Sequence, residues 1–290
     1  MNEQHFITDD QLAAKAIGYR RRTLEIIKHA NAGHTGGSLS CIDILNVLYN
    51  RVMRVSPQTF TSPKRDRYIQ SKGHSVEALY AVLAERGFFP QSDLDTLCGY
   101  DSAYVGHPTR SVAGIEHNTG GLGHGLAIGV GLAIAAKKDN ADYRTFVLLG
   151  DGELAEGSNW EAAMAAAHYD LDNLTAIVDH NTLQISGRTR DVCSNEPLDQ
   201  KFAAFGWRVE VIDGHSIPAL TKSLGTRHTD GLPHCVIANT TKGKGISFME
   251  DVAKWHHGVP TDVEYTKAIA ELLASEARLS NKTTKAGASS

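Results

Sequence analysis

Two oxygen-bearing side chains stand where strands are predicted to end. Asp151 follows the apolar run RTFVLLG, and Asn181 ends the run LTAIVDHN. The predicted helix between them, ELAEGSNWEAAMAAAHY, makes a βαβ unit whose strands are parallel, so both side chains belong to one edge of the sheet. Carboxylate and amide oxygens suit Mg²⁺ or Ca²⁺, and ligands bind at this edge of open α/β sheets. The pattern favours a diphosphate held through a divalent cation. The alternative, a plain Gly-Asp-Gly turn with Asn181 capping a strand, explains the pairing less well.

The elements that must position this pair alternate along the chain. Apolar strands are predicted in RYIQSKGH, which ends in a turn at Gly73-His74, and in RTFVLLG, LTAIVDHN, WRVEVIDGH and HCVIANTTKGKG, with helices between them. Such alternation indicates an α/β fold with a doubly wound parallel sheet flanked by helices. We expect the helix of 9–29 to break at NAGHTGGS, and residues 99–125 to form a long functional loop. One domain is predicted over 1–275, with a disordered polar tail over 276–290.

Histidines beside glycine recur along the chain. Gly-His pairs occur at His34, His74, His107, His124 and His215. A single pair carries little information, because a loop histidine is usually solvated. Five pairs predict loops whose imidazoles line a shared cavity.

Several blocks resemble the thiamine diphosphate-binding half of transketolase, in the same order along the chain. They include AGHTGGSLS, SKGHSVEALYAVLAERGFFP, VGHPTRSVAGIEHNTGGLGHGLAIGVGLA, GDGELAEG, DHNTLQISG, FGWRVEVIDGH and TKGKGISFME. Together they span most of residues 20–260. Length, GGSLS and LQISG resemble the small, N-terminal subunit of two-subunit transketolases. The resemblance implies a thiamine diphosphate-binding fold.

The resemblance also implies residue roles. As metal ligands it implies Asp151, Asn181 and the Leu183 carbonyl, with Mg²⁺ (or Ca²⁺ or Mn²⁺). Asp179 would support this site. Contacts to thiamine diphosphate are implied for His74, Gly120, Leu122, Gly152, Asn181 and His257. Catalytic roles facing the substrate are implied for His34, His107 and His257, where His257 is chosen over His256 because it precedes Gly258. Glu156 and Glu161 match acidic positions at the contact with the other half of the enzyme.

We do not expect that other half within this chain, because only 28 residues follow Asp262. The resemblance therefore implies a second subunit, which carries the pyrimidine-binding domain and its glutamate, in an α₂β₂ assembly. The implied reaction transfers a two-carbon ketol unit from a ketose phosphate to an aldose. The donor and acceptor stay open, as do the roles of His124, His180, Lys242 and Lys244. Two residues depart from the family pattern. His124 stands where the family often has an amide or another polar residue, and His180 replaces the first of two asparagines.

Other functions are open at this point. A deoxyxylulose-phosphate synthase-like subunit, a transketolase for a modified or branched sugar phosphate, and a non-catalytic binding subunit share these blocks. The net charge of −4, with both signs interspersed, argues against nucleic-acid binding. No apolar run approaches the roughly 20 residues of a membrane span. The polar, acidic N-terminus predicts a cytoplasmic protein.

Overall fold

The computed structural model describes residues 7–287, and side chains up to residue 281. Its centre is a five-stranded parallel sheet in the order β1-β2-β3-β5-β4. The strands are β1 Arg67–Gln70, β2 Thr145–Gly150, β3 Leu174–His180, β4 Arg208–Asp213 and β5 His234–Asn239. Each strand lies within a predicted segment, but β1, β4 and β5 end before the glycine-containing turns at the ends of those segments. β2 is buried along its whole length because sheet neighbours and helices cover it, whereas β4 at the edge is mostly half-exposed.

Helices cover both faces of the sheet, as predicted for a doubly wound fold. They are α1 Asp9–Ala30, α2 Thr35–Ser40, α3 Ile42–Val47, α4 Val76–Glu85, α5 Gly125–Lys138, α6 Gly157–His168, α7 Thr189–Cys193, α8 Leu198–Ala204, α9 Ile217–Gly225 and α10 Asp262–Gly287. One apolar core joins the sheet to residues of α1, α3, α4, α9 and α10. A second core, on the opposite face, joins it to α5, α6 and α8.

The start and end of α1 follow from its sequence. The Thr8 side chain accepts a hydrogen bond from the Gln11 backbone N–H at 3.2 Å, and the Gln11 side chain accepts one from the Thr8 N–H at 2.8 Å. This reciprocal capping satisfies N–H groups that the first turn of a helix leaves free. Asn31 ends the helix in the left-handed conformation. Gly33 and His34 follow this turn, so the end of α1 positions His34, the first predicted site residue.

Two local predictions are wrong. The predicted break at 31–38 holds only to His34, because Thr35–Ser40 forms the short, wholly buried helix α2. The predicted helix 153–169 is two pieces: a 3-10 turn, Gly152–Ala155, and then α6, separated by Glu156 in an extended conformation. The side chain of Glu153 accounts for the break, because it turns back to accept the N–H groups of Gly123 and Gly150 at 2.9 and 3.0 Å.

The C-terminal helix also differs from expectation. α10 runs through residue 275 to Gly287, where a disordered tail was predicted from 276. Buried Ala268 and Leu272 fix the helix to the main core, and Glu276 extends the contact by an ion pair with Arg21 at 2.9 Å. Residues 288–290 lie outside the described residues, and the domain boundary at 275 stays a prediction.

Candidate active site at the carboxyl edge of the sheet

A cavity of about 250 Å³ opens at the carboxyl ends of the strands. Its walls come from segments that follow β1, β2, β3 and β5, together with the start of α2 and the long loop before α5. The lining residues are His34, Gly37, Lys72, His74, His107, Gly120, Leu122, Gly150, Asp151, Gly152, Glu153, Asn181, Leu183, Gln184, Ile185, Lys242 and His256. A larger cavity, of about 790 Å³, lies around residues 49–65, and none of the predicted site residues lines it.

The predicted metal ligands meet in this cavity. β2 and β3 are neighbours, with Gly150 opposite Asp179, so the residues after each strand come together. The Asp151 carboxylate is buried and accepts the N–H groups of Gly152 and Thr182 at 2.8 and 2.5 Å. The Asn181 side-chain oxygen accepts the Leu183 N–H at 3.2 Å. These bonds fold the 181–183 turn against Asp151 and bring carboxylate, amide and carbonyl oxygens to one wall.

Lys242 supplies a positive charge to the same wall. Its ammonium donates to the Leu183 carbonyl at 3.0 Å and lies 2.8 Å from Nδ1 of His256. Burial and the nearby Lys72 lower the Lys242 pKa to about 8, against the attraction of Asp151 and Asp179. The backbone holds this lysine in place, since the Gly243 N–H donates to the Gly36 carbonyl at 3.0 Å. The site therefore has a cation beside the oxygen that was predicted to bind a metal.

A fully buried ion pair, Lys72–Asp179, lies at the cavity wall. The Lys72 ammonium contacts the Asp179 carboxylate and donates to the Gly37 carbonyl at 3.0 Å. Ser40 donates to Asp179 at 2.6 Å, and Thr240 donates to its second oxygen. Burial by itself would raise the pKa of Asp179, but Lys72 and these hydroxyls outweigh it and lower that pKa. The pair ties β1, β3, β5 and α2 together, which supports the predicted role of Asp179.

Asp151 is in the opposite electrostatic situation. Burial, with the neighbouring Asp179 charge, raises its pKa to about 6. The carboxylate is thus held in a place where its negative charge is poorly compensated. A divalent cation at these oxygens would supply the missing charge, so the donor set fits a hard metal ion.

Four imidazoles surround His34. The ring centroid of His34 lies 5.4 Å from that of His74, 6.1 Å from His107, 5.7 Å from His256 and 4.6 Å from His257. Burial lowers the pKa of His34 to about 4 and that of His256 to about 3, and the ammonium groups of Lys242 and Lys72 add to both shifts. Burial also lowers the pKa of His74 and His107. The rings of His34, His74, His107 and His256 are therefore neutral at pH 7, so each can donate one hydrogen bond and accept another.

His34 is held by a buried carboxyl group. Glu77, near the start of α4, accepts the His34 backbone N–H at 3.1 Å and the Ser38 hydroxyl at 2.8 Å. Burial raises the Glu77 pKa to about 7. Gly33 allows the approach, because a Cβ at this position would lie 2.8 Å from a carboxyl oxygen of Glu77 and 2.8 Å from a side-chain carbon of Ile27. Gly33 also has φ +147°, which other residues rarely adopt.

The cavity leaves room and unsatisfied polar groups for a ligand. Nδ1 of His34 and Nε2 of Gln184 are buried with no hydrogen-bond partner among the described residues. A Cβ on Gly120 would lie 2.9 Å from the His107 ring, and one on Gly152 would lie 2.8 Å from the Gln184 side chain. Because each buried polar group needs a partner, we interpret the cavity as a site built for a polar ligand. The predicted residues thus fit a metal-bound diphosphate.

Most predicted site residues lie where the sequence placed them. The predicted residues that line the cavity are His34, His74, His107, Gly120, Leu122, Asp151, Gly152, Asn181 and Leu183. His256, and not His257, lines it, because neighbouring residues of the 3-10 turn Ala253–His257 point in different directions. His257 is exposed, although its ring packs on His34. Glu156 and Glu161 are exposed, as a contact with another chain requires.

The predicted shared cavity holds three of the five Gly-His pairs. His124 directly precedes α5 at the surface, with Nδ1 3.0 Å from the Leu122 carbonyl. His215 contacts Asp43 at 2.8 Å and accepts the Thr241 N–H at 2.9 Å, so it braces the loop after β5 from outside. The role of His180 was also left open by the sequence. Its Nε2 lies 2.8 Å from the Glu196 carboxylate, and its Nδ1 lies 2.8 Å from the Asn239 side-chain oxygen.

Some lining residues were missed. Lys72 in the cavity wall, and Glu77, which holds His34 without lining the cavity, looked like ordinary residues of a strand end and a helix. Gln184 and Ile185 follow Leu183 in a segment without a periodic pattern. The signal that could have found Lys72 is its place beside Gly73-His74, directly after a strand. Lys72 pairs with Asp179, and Glu77 bonds to His34. The members of each pair are distant in sequence, so no spacing rule connects them.

Comparisons with known proteins agree with this geometry. The family model of the transketolase thiamine diphosphate binding domain matches residues 10–278. A Phocaeicola vulgatus chain, named as one subunit of apulose-4-phosphate transketolase, is 52% identical over 87% of this chain and 90% of the relative. A 6-deoxy-6-sulfo-D-fructose transketolase subunit of a Clostridium species is 41% identical over 94% and 98%. The solved transketolase of Campylobacter jejuni superimposes with a TM-score of 0.80 at 29% identity. It covers 95% of this chain, which spans about half (49%) of its length.

Proposed function

Because this chain belongs to the transketolase family through its thiamine diphosphate-binding domain, we propose that it binds the cofactor diphosphate and a divalent metal in a split transketolase. A second subunit would supply the pyrimidine-binding domain. The enzyme is a transferase that moves ketol groups. The observation that carries the proposal is the match to one subunit of such an enzyme at 52% identity over nearly the whole of both chains.

The cofactor would bind along the wall that contains Asp151. The carboxylate of Asp151, the side-chain oxygen of Asn181 and the Leu183 carbonyl would hold Mg²⁺, or Ca²⁺ or Mn²⁺ in its place. His74 and Gly152 would contact the diphosphate. The Gly152 N–H now donates to Asp151, so this contact requires Asp151 to turn toward the metal. Gly120 and Leu122 would lie against the aminopyrimidine, on the side of the cavity nearest to His107.

Bound thiamine diphosphate supplies the nucleophilic carbon that lets a carbon–carbon bond beside a carbonyl break and form. The protein's own part is to orient the sugar and to move protons at its hydroxyl groups. His34 and His107 are placed for this, with His256 or His257 as the third imidazole. Burial lowers the pKa values of His34, His107 and His256, which makes these neutral rings weak bases. Negative charge from a diphosphate would raise these pKa values toward neutrality, where acid–base catalysis is most effective.

We propose that this chain pairs with its partner subunit through the surface that carries Glu156 and Glu161. Both side chains are exposed: Glu156 directly follows the 3-10 turn Gly152–Ala155, and Glu161 lies in α6. Three relatives named as transketolase subunits support a second chain, and an α₂β₂ assembly is the arrangement we propose. The complex would act in the cytoplasm, which cell fractionation would test. None of the helices in the described part of the chain is long and apolar enough to cross a bilayer.

For the donor, we propose a modified or branched ketose phosphate. Two relatives, at 52% and 48% identity, are named for apulose 4-phosphate, and one at 41% for 6-deoxy-6-sulfo-D-fructose. Apulose 4-phosphate is therefore the first donor to test. The human transketolase, at 38% identity, is more distant.

The test is reconstitution with the partner subunit, thiamine diphosphate and Mg²⁺. Apulose 4-phosphate, 6-deoxy-6-sulfo-D-fructose and xylulose 5-phosphate are compared by kcat/KM for two-carbon transfer to an aldose phosphate. A preference for the first supports the donor proposed here, and a preference for xylulose 5-phosphate refutes it. Robust turnover by the isolated chain would refute the split-enzyme proposal.

A metal requirement is tested separately. We expect Asp151→Asn in the assembled complex to abolish Mg²⁺-dependent cofactor binding in calorimetry, because the amide keeps the shape but removes the charge. Asp191→Asn, at an exposed position beyond the 181–183 turn, is the matched control. Unchanged affinity in the Asp151 variant would exclude this carboxylate as a metal ligand.

A further inference from the structure

A second group of metal-ligand side chains lies at the opposite edge of the sheet. Glu210 in β4, His234 at the start of β5 and His228 in the loop before it each place one ligand atom within 4.8 Å of the other two. His234 begins β5 and Asn239 ends it, so the length of the strand, roughly 17 Å, separates this group from the active-site edge. The two sites are therefore independent.

One ring nitrogen of each imidazole in this group makes no hydrogen bond within the described part of the chain. Nε2 of His228 and Nε2 of His234 are both buried with no hydrogen-bond partner among the described residues. The His234 side chain is 2% exposed, its Nε2 lies 3.4 Å from the Glu210 carboxylate without the alignment of a hydrogen bond, and its ring centroid is 4.9 Å from that of His228. Since buried polar atoms are rarely left without partners, two such nitrogens facing one carboxylate need an explanation.

We propose that Glu210, His228 and His234 form a binding site for a divalent transition metal of the Zn²⁺ class. Two imidazole nitrogens and one carboxylate are a ligand set that Zn²⁺ accepts, with water completing the tetrahedron. Ligand atoms around a tetrahedral zinc lie about 3.4 Å apart, so the observed spacing needs only side-chain rotation. Nitrogen ligands disfavour Mg²⁺ and Ca²⁺, which keeps this site distinct from the proposed cofactor metal.

The surroundings suit a cation of this kind. Glu210 is partly exposed, with 37% of its side chain accessible, so an ion can enter from solvent. Arg208 lies opposite His234 in the β4–β5 pairing, and its guanidinium contacts the Asp230 carboxylate, which compensates its charge. The ligands come from the edge strand β4, from β5 and from the loop between α9 and β5. A bound ion would therefore fasten that loop to the edge of the sheet.

The test uses the untagged full chain with saturating Mg²⁺ and measures binding of Co²⁺ and Zn²⁺. We expect one Co²⁺ per chain with the visible absorption of a tetrahedral ion, displaced by Zn²⁺. His228→Gln and Glu210→Gln should each weaken binding by more than about tenfold, since loss of an outer-shell partner alone costs about that much. Both positions are partly exposed, so these variants avoid the folding risk of changing buried His234.

His168→Gln, at an exposed histidine outside the group, is the matched control and should bind Co²⁺ like the unmodified chain. A rise in melting temperature with Zn²⁺, present in the unmodified chain and control but lost in His228→Gln, would also support the site. Equal Co²⁺ stoichiometry and affinity in all variants would overturn the proposal. So would the absence of tetrahedral absorption in the unmodified chain, which would leave only a close contact between His234 and Glu210.

Discussion

The Lys242 ammonium lies 3.0 Å from the Leu183 carbonyl oxygen, one of the oxygens that we propose as metal ligands. A monovalent side-chain cation and a divalent ion cannot share that oxygen without strong repulsion. Metal binding therefore requires Lys242 to leave Leu183. The diphosphate would offer the released lysine a new partner on the same wall.

Changing Lys242 should therefore affect metal and cofactor binding in opposite directions. We expect Lys242→Met to strengthen the binding of Mg²⁺ alone, because a competing charge is lost. The same change should weaken cofactor binding by roughly tenfold to a hundredfold, the worth of about 1.5–3 kcal/mol for a hydrogen bond to a charged group. Calorimetry on the assembled complex measures both. Lys244→Met, two residues away in an ion pair with Glu250, should change neither. If Lys242→Met weakened the binding of both Mg²⁺ and the cofactor, Lys242 would not move from the Leu183 carbonyl to the diphosphate.

The two histidines before Gly258 can be separated by paired variants. We expect His256→Asn to lower kcat and cofactor affinity, because its ring lines the cavity and contacts Lys242 at 2.8 Å. His257→Asn should keep cofactor affinity and change mainly KM or kcat, since this exposed ring packs on His34 and does not line the cavity. The measurement is steady-state kinetics with cofactor titration. Loss of cofactor affinity in the His257 variant alone would show that His257, the residue chosen from the sequence, contacts the cofactor.

Glu77 should make stability depend on pH. Its pKa is raised in the folded chain to about 7 from an ordinary 4.5. Between these values the unfolded carboxyl loses its proton while the folded one keeps it, so rising pH lowers the free energy of unfolding. Tyr80 and Cys98 have raised pKa values, and burial lowers the pKa of His34 to about 4, so these neighbours of Glu77 stay largely uncharged in this range.

The test compares the unmodified chain with Glu77→Gln, which keeps the shape without the charge. We expect the difference in unfolding free energy between them to change by at most about 3 kcal/mol between pH 4.5 and pH 8, in favour of the variant at high pH. Urea denaturation of the isolated chain at several pH values measures it. Parallel pH profiles for the two chains would show that Glu77 does not titrate in this range.

The Lys72–Asp179 pair should dominate stability at the site. Both side chains are fully buried, so Lys72→Met leaves the Asp179 charge without its partner. We expect a loss of about 3–5 kcal/mol in the free energy of unfolding. The surface pair Lys137–Asp172, at 2.7 Å, is the matched control, and Lys137→Met should cost less than about 1 kcal/mol. Similar losses in both variants would mean that the buried pair contributes no more than a surface pair.

The sequence by itself determined the order of strands along the chain, their parallel arrangement and the edge of the sheet that holds the site. Those features depend on local apolar runs, on turns and on the rule that carboxyl ends of parallel strands share an edge, so Asp151 and Asn181 could be paired before the structure was known. Only the tertiary structure decided which of His256 and His257 faces the cavity, that Glu77 holds His34, and that Lys242 contacts Leu183. The reason is physical: side-chain direction within a short turn, and contacts between residues far apart in sequence, follow from packing in three dimensions and leave no periodic signal in the chain.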